Sequence, residues 1–419
     1  MSIISLALVV YGVAMTVGYL LNRFLRLPWM FTTVILGMTL TAAGLFQDVL
    51  AGPEFAILTR MGMLLFLFTV GLELDLAQVR HLGRHIVGGN ILMTLTEGMI
   101  LGLFFYFVIP AAVGHSFLVA LVAGVSFGTV GEVVLLAIMK EFKVENTRFG
   151  QLALGIGVFD DVFEILTLAI VVALPAIMGI SGENAWATSG TILLTLVGII
   201  AATILLSRAA RPIRAVLARL PGDSFVAPFF VFFLLFGFIY FGSTRFENLG
   251  IVAAILAGIA VKQVLPPPML QQYKRPLFFV ANIFLGPFFF LGLGARMSFD
   301  ALAQSPWLVA AVVVISLTVR IALSFGLFSR LLGKRESVVM GIGLTSKFST
   351  SVITENLLLT AGLITPMLYS VMMGAFIVLK PLIVAGFSRG IATVVAPAAS
   401  RAMAGEARPT PTIALEPAE

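Results

Sequence analysis

The sequence has no cysteine, little charge and only three histidines. The absence of cysteine excludes disulfide bonds, a thiol nucleophile and thiolate metal ligands. The histidines (His81, His85 and His115) fall near the ends of predicted helices, so a histidine-based metal site is not expected. Charged residues make up 11% of the 419 positions, compared with about 25% in ordinary soluble domains. A chain with so few charges cannot cover a soluble globule with solvated groups.

The sequence is instead rich in long hydrophobic stretches. Hydrophobic residues make up 60% of the sequence and the mean hydropathy is +1.09, values typical of an all-α polytopic membrane protein. The N-terminal stretch MSIISLALVVYGVAMTVGYLL lacks a basic leading segment and a small-residue cleavage site. We therefore interpret it as a first transmembrane helix rather than a cleaved signal.

Hydropathy and helix-breaking residues predict about thirteen transmembrane helices. They are expected at residues 3–22, 28–46, 55–74, 86–110, 116–139, 149–178, 187–207, 225–242, 249–265, 275–294, 306–329, 338–360 and 366–390. The transmembrane domain then covers residues 1–392, with its core around 86–178 and 306–390. The Ala/Pro-rich segment 393–419 is expected to be a disordered cytoplasmic tail.

Basic residues alternate between the predicted loops. The even-numbered loops hold only Arg245 and Arg296, whereas the odd-numbered loops hold Arg23, Arg26, Arg80, Arg84, Lys140, Lys143, Arg148, Arg208, Arg211, Arg214, Arg219, Lys274, Arg275, Arg330, Lys334 and Arg335. By the positive-inside rule the odd loops are cytoplasmic, so the N-terminus is expected outside and the C-terminus in the cytoplasm. The expected location is the cell inner (plasma) membrane. The basic pI near 9.8 therefore reflects topology, and no nucleic-acid partner is expected.

A short set of charged residues remains inside the predicted helices. It comprises Glu97, Glu132, Asp160, Asp161, Glu164, Arg320, Lys347 and Glu355, while Arg60, Glu73 and Lys380 lie nearer to helix ends or are ambiguous. Each charged group costs at least about 2.5–3.5 kcal/mol at the centre of a membrane helix. So many such groups predict a polar, water-accessible interior. For Glu97, which stands alone in LTEGM, a structural or interface role is expected.

Three of the acids lie in one segment, GIGVFDDVFEILT. Asp160 lies about 16 Å into its helix, near the midplane of the membrane, and Arg320 lies at a similar depth, so Asp160 or Asp161 is the expected partner of Arg320. Adjacent helical residues point about 100° apart, so one aspartate can pair with a cation while the other stays available to an ion. Crowding with Glu164 favours competition between a proton and a metal cation. The alternative is a structural salt-bridge cluster.

Two predicted spans read poorly as continuous helices. GVSFGTVGEVV (124–134) contains three glycines with Thr129 and Glu132, and GIGLTSKFSTSVITE (341–355) combines Lys347 with hydroxyl residues. Such clusters at mid-depth mark discontinuous helices, whose unwound carbonyls bind cations and whose dipoles need compensating charges, with Glu132 and Lys347 as candidates. The spans are seven helices apart, and this odd offset predicts an inverted-topology repeat with two crossed discontinuous helices. Ordinary small-residue packing is the alternative.

Three stretches carry a family resemblance. They are LFLFTVGLELDL (65–76), LLAIMKEFKVENTRFGQLALGIGVFDDV (135–162) and FFFLGLGARMSFDAL (288–302). Through them the chain resembles the bacterial monovalent cation:proton antiporters, the Na⁺/H⁺ and K⁺/H⁺ exchangers. The resemblance implies an antiporter fold in which a core domain with crossed helices moves like an elevator against a dimerisation domain. It also implies a homodimer in membrane lipid that transports a monovalent cation and protons.

The resemblance also implies roles for individual residues. Carried over by position, Asp161 matches the essential aspartate that binds the proton and the transported Na⁺ or K⁺. Asp160 matches the partner of a basic residue, here Arg320, and Thr129 falls in the crossover that lines the ion path. Arg320 departs from the pattern, because members with two aspartates usually carry lysine at this place. Arginine does not lose its proton in proteins, which leaves the stoichiometry open.

Glu132 within the crossover and Lys347 in TSKFST are further departures from the family pattern. Either residue could change the choice of ion or tie the broken helices together. The role of Glu164, close to the aspartate pair, is likewise left open.

The sequence therefore favours antiport of Na⁺, or K⁺, against H⁺ by competition at Asp161, with no enzymatic chemistry and no cofactor. An alternative is a sodium-coupled symporter of an organic anion, in which the crossover binds Na⁺ and Arg320 or Lys347 holds the anion. An intramembrane aspartyl protease needs two aspartates on different helices facing one water. Because Asp160 is adjacent to Asp161 on one helix, that enzyme is not expected.

Overall fold

A computed structural model describes residues 2–25, 27–74, 82–179, 185–219, 225–244, 246–347 and 350–397. The chain divides into two compact units. The first unit comprises Met1–Leu74 and Leu168–Phe299, and the second, named here the crossover unit, comprises Asp75–Thr167 and Asp300–Glu419. Among the residues used in the sequence analysis, Arg26, Arg80, His81, Arg245 and the tail beyond position 397 lie outside the described residues.

All regular structure in these described ranges is helical. In chain order the helices are α1 (Ile3–Leu25), α2 (Trp29–Ala42), α3 (Gln47–Leu50), α4 (Pro53–Glu73), α5 (Arg84–Val108), α6 (Phe117–Phe127), α7 (Glu132–Glu141), α8 (Arg148–Ile177), α9 (Ala185–Arg208), α10 (Ala210–Leu217), α11 (Val226–Ser243), α12 (Leu249–Val264), α13 (Pro267–Ala295), α14 (Phe299–Gln304), α15 (Pro306–Leu332), α16 (Lys334–Leu344), α17 (Ser351–Thr360) and α18 (Pro366–Val395).

The helices suit a membrane. Within the described residues, eight are long and apolar enough to cross one: α1, α4, α5, α9 from Gly190, α11, α13, α15 and α18. Three shorter apolar helices, α2, α6 and α12, accompany them. These helices confirm the prediction of an all-α, multi-pass membrane protein, while the count of thirteen spans stays a prediction.

Two helix boundaries differ by five residues or more from the sequence analysis. Helix α13 begins at Pro267, eight residues before the predicted start at 275, because Pro266 and Pro267 start the helix in spite of Pro276 inside it. Helix α18 continues through a π-helical end at Ile391–Val395, which extends past residue 393, the predicted start of the tail.

Glycine allows close helix packing in the first unit. A Cβ atom added at Gly258 of α12 would meet the carbonyl oxygen of Phe68 in α4, and one added at Gly71 of α4 would meet the carbonyl oxygen of Ile255 in α12. The two backbones approach this closely only because both positions lack a side chain. Near the end of α4, the Lys262 ammonium donates hydrogen bonds to the last carbonyls, 2.9 Å from that of Leu74.

The crossover unit repeats one order of helices twice. Long α5, the broken pair α6 and α7, and then α8 form the first set. Long α15, the broken pair α16 and α17, and then α18 form the second. Both predicted discontinuous helices are confirmed, while the inverted topology of the repeat stays a prediction. The two breaks meet, because the backbone N–H of Gly131 donates to the carbonyl oxygen of Ser346 at 2.7 Å.

Hydroxyl side chains accompany both breaks. The Ser126 hydroxyl donates to the carbonyl oxygen of Ala123 at 2.8 Å, and the Thr345 hydroxyl donates to that of Gly341 at 2.8 Å. Such bonds satisfy carbonyls near the end of a helix and compete with its continuation. The Gly and hydroxyl clusters in the sequence therefore have the local effect predicted for them.

Candidate functional site

Four helix ends converge on the meeting point of the two breaks. Helices α6 and α16 end there, and α7 and α17 begin there. A helix C-terminus carries a partial negative charge and an N-terminus a partial positive charge. The buried crossover therefore needs cations at two of its helix ends and anions at the other two.

Asp160 compensates the beginning of α7. Its side chain is fully buried, and its Oδ2 accepts a hydrogen bond from the backbone N–H of Val130 at 2.5 Å. Its Oδ1 accepts from Asn90 Nδ2 at 2.8 Å and from the Thr94 hydroxyl at 3.3 Å. Both oxygens of this carboxylate are therefore held by donors from the first set of helices.

Glu164 compensates the beginning of α17. The buried carboxylate accepts hydrogen bonds from the backbone N–H of Thr350, at 3.3 Å, and from the Thr350 hydroxyl. Its position four residues after Asp160 places both acids along one edge of α8. One helix of the first set therefore supplies the anion for each break, a role for Glu164 that the sequence did not reveal.

Arg320 compensates the end of α6, but its ion-pair partner differs from the prediction. Its Nη2 donates to the carbonyl oxygen of Gly128, and its Nε forms the salt bridge with Glu97. Arg320 is fully buried. The prediction that it pairs directly with Asp160 or Asp161 was wrong, because its ion-pair partner is Glu97. Arg320 is linked to Asp160 through one hydroxyl, since Nη2 also donates to Thr94 Oγ1 at 3.3 Å, and that hydroxyl donates to Asp160.

Lys380 compensates the end of α16. Its buried ammonium lies on α18 and donates to the Ser346 hydroxyl at 3.4 Å and to the carbonyl oxygen of Lys347 at 3.3 Å. The sequence analysis set Lys380 apart as ambiguous. Its place in the middle of a long apolar helix was the available signal for a functional lysine.

Glu97 connects both sets of helices. Its Oε1 accepts from the Ser316 hydroxyl, and its Oε2 accepts from Arg320 and, at 3.0 Å, from Lys347 Nζ. The same ammonium lies 5.8 Å from the centroid of the Phe127 ring, a distance suited to a cation–π contact. Lys347 thus ties the second break to α5, and Glu97 has the structural role expected of it, with two cations that the sequence did not assign to it.

The remaining predicted site residues lie at or near the first break. Thr129 is buried between α6 and α7, and its hydroxyl donates to the carbonyl oxygen of Ser126 at 3.1 Å. Asp161 is half-buried, in contrast to the fully buried Asp160, as expected for adjacent helical residues that face different surroundings. Glu132 is the first residue of α7, and its side chain lies outside the described residues.

This geometry separates a fixed part from an accessible part. Every helix end at the crossover has a compensating side chain, so the broken backbone can persist in a buried place. Asp161 lies next to that fixed network and is partly accessible. A carboxylate in such a position can bind a proton or a small cation in turn.

Comparisons with known proteins agree with this architecture. Residues 12–394 match the sequence profile of the family described as sodium/hydrogen exchanger, transmembrane. The sodium proton antiporter MjNhaP1 from Methanocaldococcus jannaschii has a similar fold, with a TM-score of 0.60, 16% sequence identity, and coverage of 94% of this chain and 98% of that one.

Two relatives extend the comparison. The Na(+)/H(+)-K(+) antiporter GerN of Bacillus cereus is 25% identical over 314 residues, which are 73% of this chain and 76% of GerN. The glutathione-regulated potassium-efflux system protein KefC of Cronobacter sakazakii is 29% identical over 300 residues, 70% of this chain and 43% of KefC. The chain thus aligns with less than half of the length of KefC.

The crossover therefore belongs to a membrane protein with the fold of the sodium proton antiporter MjNhaP1. The chain belongs to the sodium/hydrogen exchanger family, whose profile covers nearly all of the described residues. The resemblance inferred from the sequence is confirmed.

Proposed function

We propose that this protein exchanges a monovalent cation for H⁺ across the membrane by alternating access, with both ions competing for Asp161. The observation that carries the proposal is the contrast between two adjacent acids. Asp160 has both oxygens engaged by donors, whereas Asp161 is half-buried beside it. The first is suited to hold the crossover together, and the second to bind and release ions.

Na⁺ is the proposed cation, with K⁺ as the second candidate. The name of GerN includes both ions, and that of KefC includes potassium. Neither a cofactor nor a chemical step is needed, because binding alone exchanges the ions. In the proposed cycle Thr129 lines the path to Asp161, while Arg320, Lys347 and Glu164 stabilise the crossover.

We further propose that the protein works as a homodimer in the cell inner membrane, with the N-terminus outside and the C-terminus in the cytoplasm. The support is the alternation of basic loops, together with the resemblance to antiporters that have a dimerisation domain. The crossover unit is proposed as the moving core, because it contains both broken helices and all the compensating charges described above.

The substitution Asp161→Asn tests the exchange site. It removes the titrating carboxylate and keeps the size of the side chain, so we expect purified protein that folds normally but shows no Na⁺- or K⁺-driven proton movement in proteoliposomes. Asp48→Asn, an exposed acid in α3, is the matched control and should transport as wild type. Exchange that persists in Asp161→Asn would rule out this assignment.

The organic-anion symporter makes a different prediction for the wild-type protein. An antiporter moves protons when Na⁺ or K⁺ alone is added to proteoliposomes, whereas a symporter shows no such movement without its solute. The antiporter name of GerN favours the first result.

A further inference from the structure

Glu355 is a buried acid that the proposed exchange does not use. It lies in the second turn of α17 and is fully buried. Within the described part of the chain, neither of its carboxyl oxygens has a hydrogen-bond partner. The hydroxyl of Ser351, one turn earlier on the same helix face, is also buried and has no partner there. Three neighbouring side-chain oxygens are therefore unsatisfied.

Glu355 differs in this respect from the other buried acids of the crossover unit. Asp160 accepts from three donors, Glu97 binds two cations and a hydroxyl, and Glu164 accepts from Thr350. Burial of an ionised carboxylate is unfavourable unless it is paired and hydrogen-bonded. Glu355 lacks both kinds of compensation, so its negative charge needs a cation that comes from outside the protein.

The charged groups around α17 have other partners. Lys347, whose charge acts on Glu355, donates to Glu97, and Lys380 on the neighbouring α18 donates at the end of α16. Glu164, an acid near the start of α17, accepts from Thr350. Helix α6, which packs against α17, contains no charged residue.

We propose that Glu355, together with Ser351, forms a second proton-binding site that the exchange cycle loads and unloads separately from Asp161. A proton needs only one carboxyl oxygen, whereas a metal cation needs a shell of oxygen ligands. On α17, Val352, Ile353 and Leu358 are buried and apolar, and the buried Thr354 hydroxyl donates to the carbonyl oxygen of Thr350. The site is distinct from the crossover network. Its transport role rests on the proposed exchange, but the presence of the proton does not.

Infrared difference spectroscopy on the reconstituted full chain tests for the proton. Wild type at neutral pH should show the carbonyl stretch of a protonated carboxylic acid, with a shift in D₂O, and Glu355→Gln should lose this band. Ser351→Ala should shift it, because the neighbouring hydroxyl is removed. Glu54→Gln, which changes an exposed acid, should leave it unchanged. A band that persists in full in Glu355→Gln overturns the proposal.

The voltage at which exchange reverses tests the transport role. If Glu355 carries a proton through the cycle, Glu355→Gln should move fewer protons per cation than wild type. An unchanged ratio of protons to cations would show that the proton stays on Glu355 during exchange, and would overturn the transport role. If Glu355→Gln does not exchange ions, exchange in Glu355→Asp supports the need for an acid at this position. Loss of exchange in both variants overturns the transport role. Wild-type exchange and its loss in Asp161→Asn test the proposed function separately.

Discussion

At the scale of single residues, one peptide bond separates two acids with different surroundings. A helix turns about 100° per residue, so Asp160 reaches Val130, Asn90 and Thr94 while Asp161 faces another direction. The groups that donate hydrogen bonds to Asp160 are neutral, so Asp160 needs no exchangeable cation to satisfy its oxygens. Arg320 is linked to Asp160 through the Thr94 hydroxyl, so in the proposed exchange at Asp161 a permanently charged arginine need not break an ion pair with Asp160.

Glu97 has the structural role expected of it, but only the structure revealed its two cationic partners. It is the one carboxylate within the described residues that pairs with two buried cations, Arg320 and Lys347. Removal of its charge would leave both cations in a buried place without an anion.

The substitution Glu97→Gln should therefore destabilise the protein strongly. Loss of one member of a buried ion pair typically costs about 3–5 kcal/mol, so we expect a clear drop in melting temperature in detergent and a loss of exchange. Adding Lys347→Met removes one of the two uncompensated cations and should recover part of the stability. A Glu97→Gln protein that melts as wild type does would contradict the structural role.

At the scale of elements, the crossover is explained by four helix ends and four side chains. Asp160 and Glu164 face the two beginnings, and Arg320 and Lys380 face the two ends. The sign of each charge opposes the partial charge of its helix end. Both anions come from α8, whereas the cations come from α15 and α18 of the second set.

Lys380→Met tests this pattern at the end of α16. The substitution keeps the length of the side chain and removes the charge, so the carbonyl of Lys347 loses its donor. A charge at a partly buried helix end contributes up to about 2 kcal/mol, and we expect a lower melting temperature and slower exchange. Lys380→Arg should restore both.

Lys334→Met is the matched control for Lys380→Met. It makes the same change at the exposed first residue of the same helix, where a positive charge opposes no carbonyl. Equal effects of the two substitutions on melting temperature would contradict the compensation of the helix end.

At the scale of the whole molecule, the distribution of basic residues predicts the orientation of the chain in the membrane. The natural absence of cysteine makes this orientation easy to test, because any introduced cysteine is unique. Asp48 lies in a predicted outside loop and Asn146 in a predicted cytoplasmic loop, and both are exposed.

Asp48→Cys should react with a membrane-impermeant maleimide added to intact cells, whereas Asn146→Cys should react only after the cells are permeabilised. The positive-inside rule gives the physical reason, since basic loops stay on the cytoplasmic side. The reverse labelling pattern would invert the proposed topology. Labelling of both positions in intact cells would show that the reagent enters the cells and does not report sidedness. The unmodified, cysteine-free chain measures background labelling.

The sequence by itself determined the class of protein, the positions of most helices and the two breaks. These follow from local properties: apolar length, Gly and hydroxyl clusters such as that around Thr129, and the high cost of charge in a membrane. It also identified Asp160, Arg320 and Lys347 as buried groups that need partners.

Only the tertiary structure decided which partners meet. Depth along a helix placed Asp160 and Arg320 at one level, but depth does not say which helix faces which. In the structure Arg320 pairs with Glu97. For the same reason the compensating roles of Glu164 and Lys380, and the isolation of Glu355, were invisible in the sequence. Charge pairing in a protein interior depends on packing between distant helices, and no local pattern of residues records that packing.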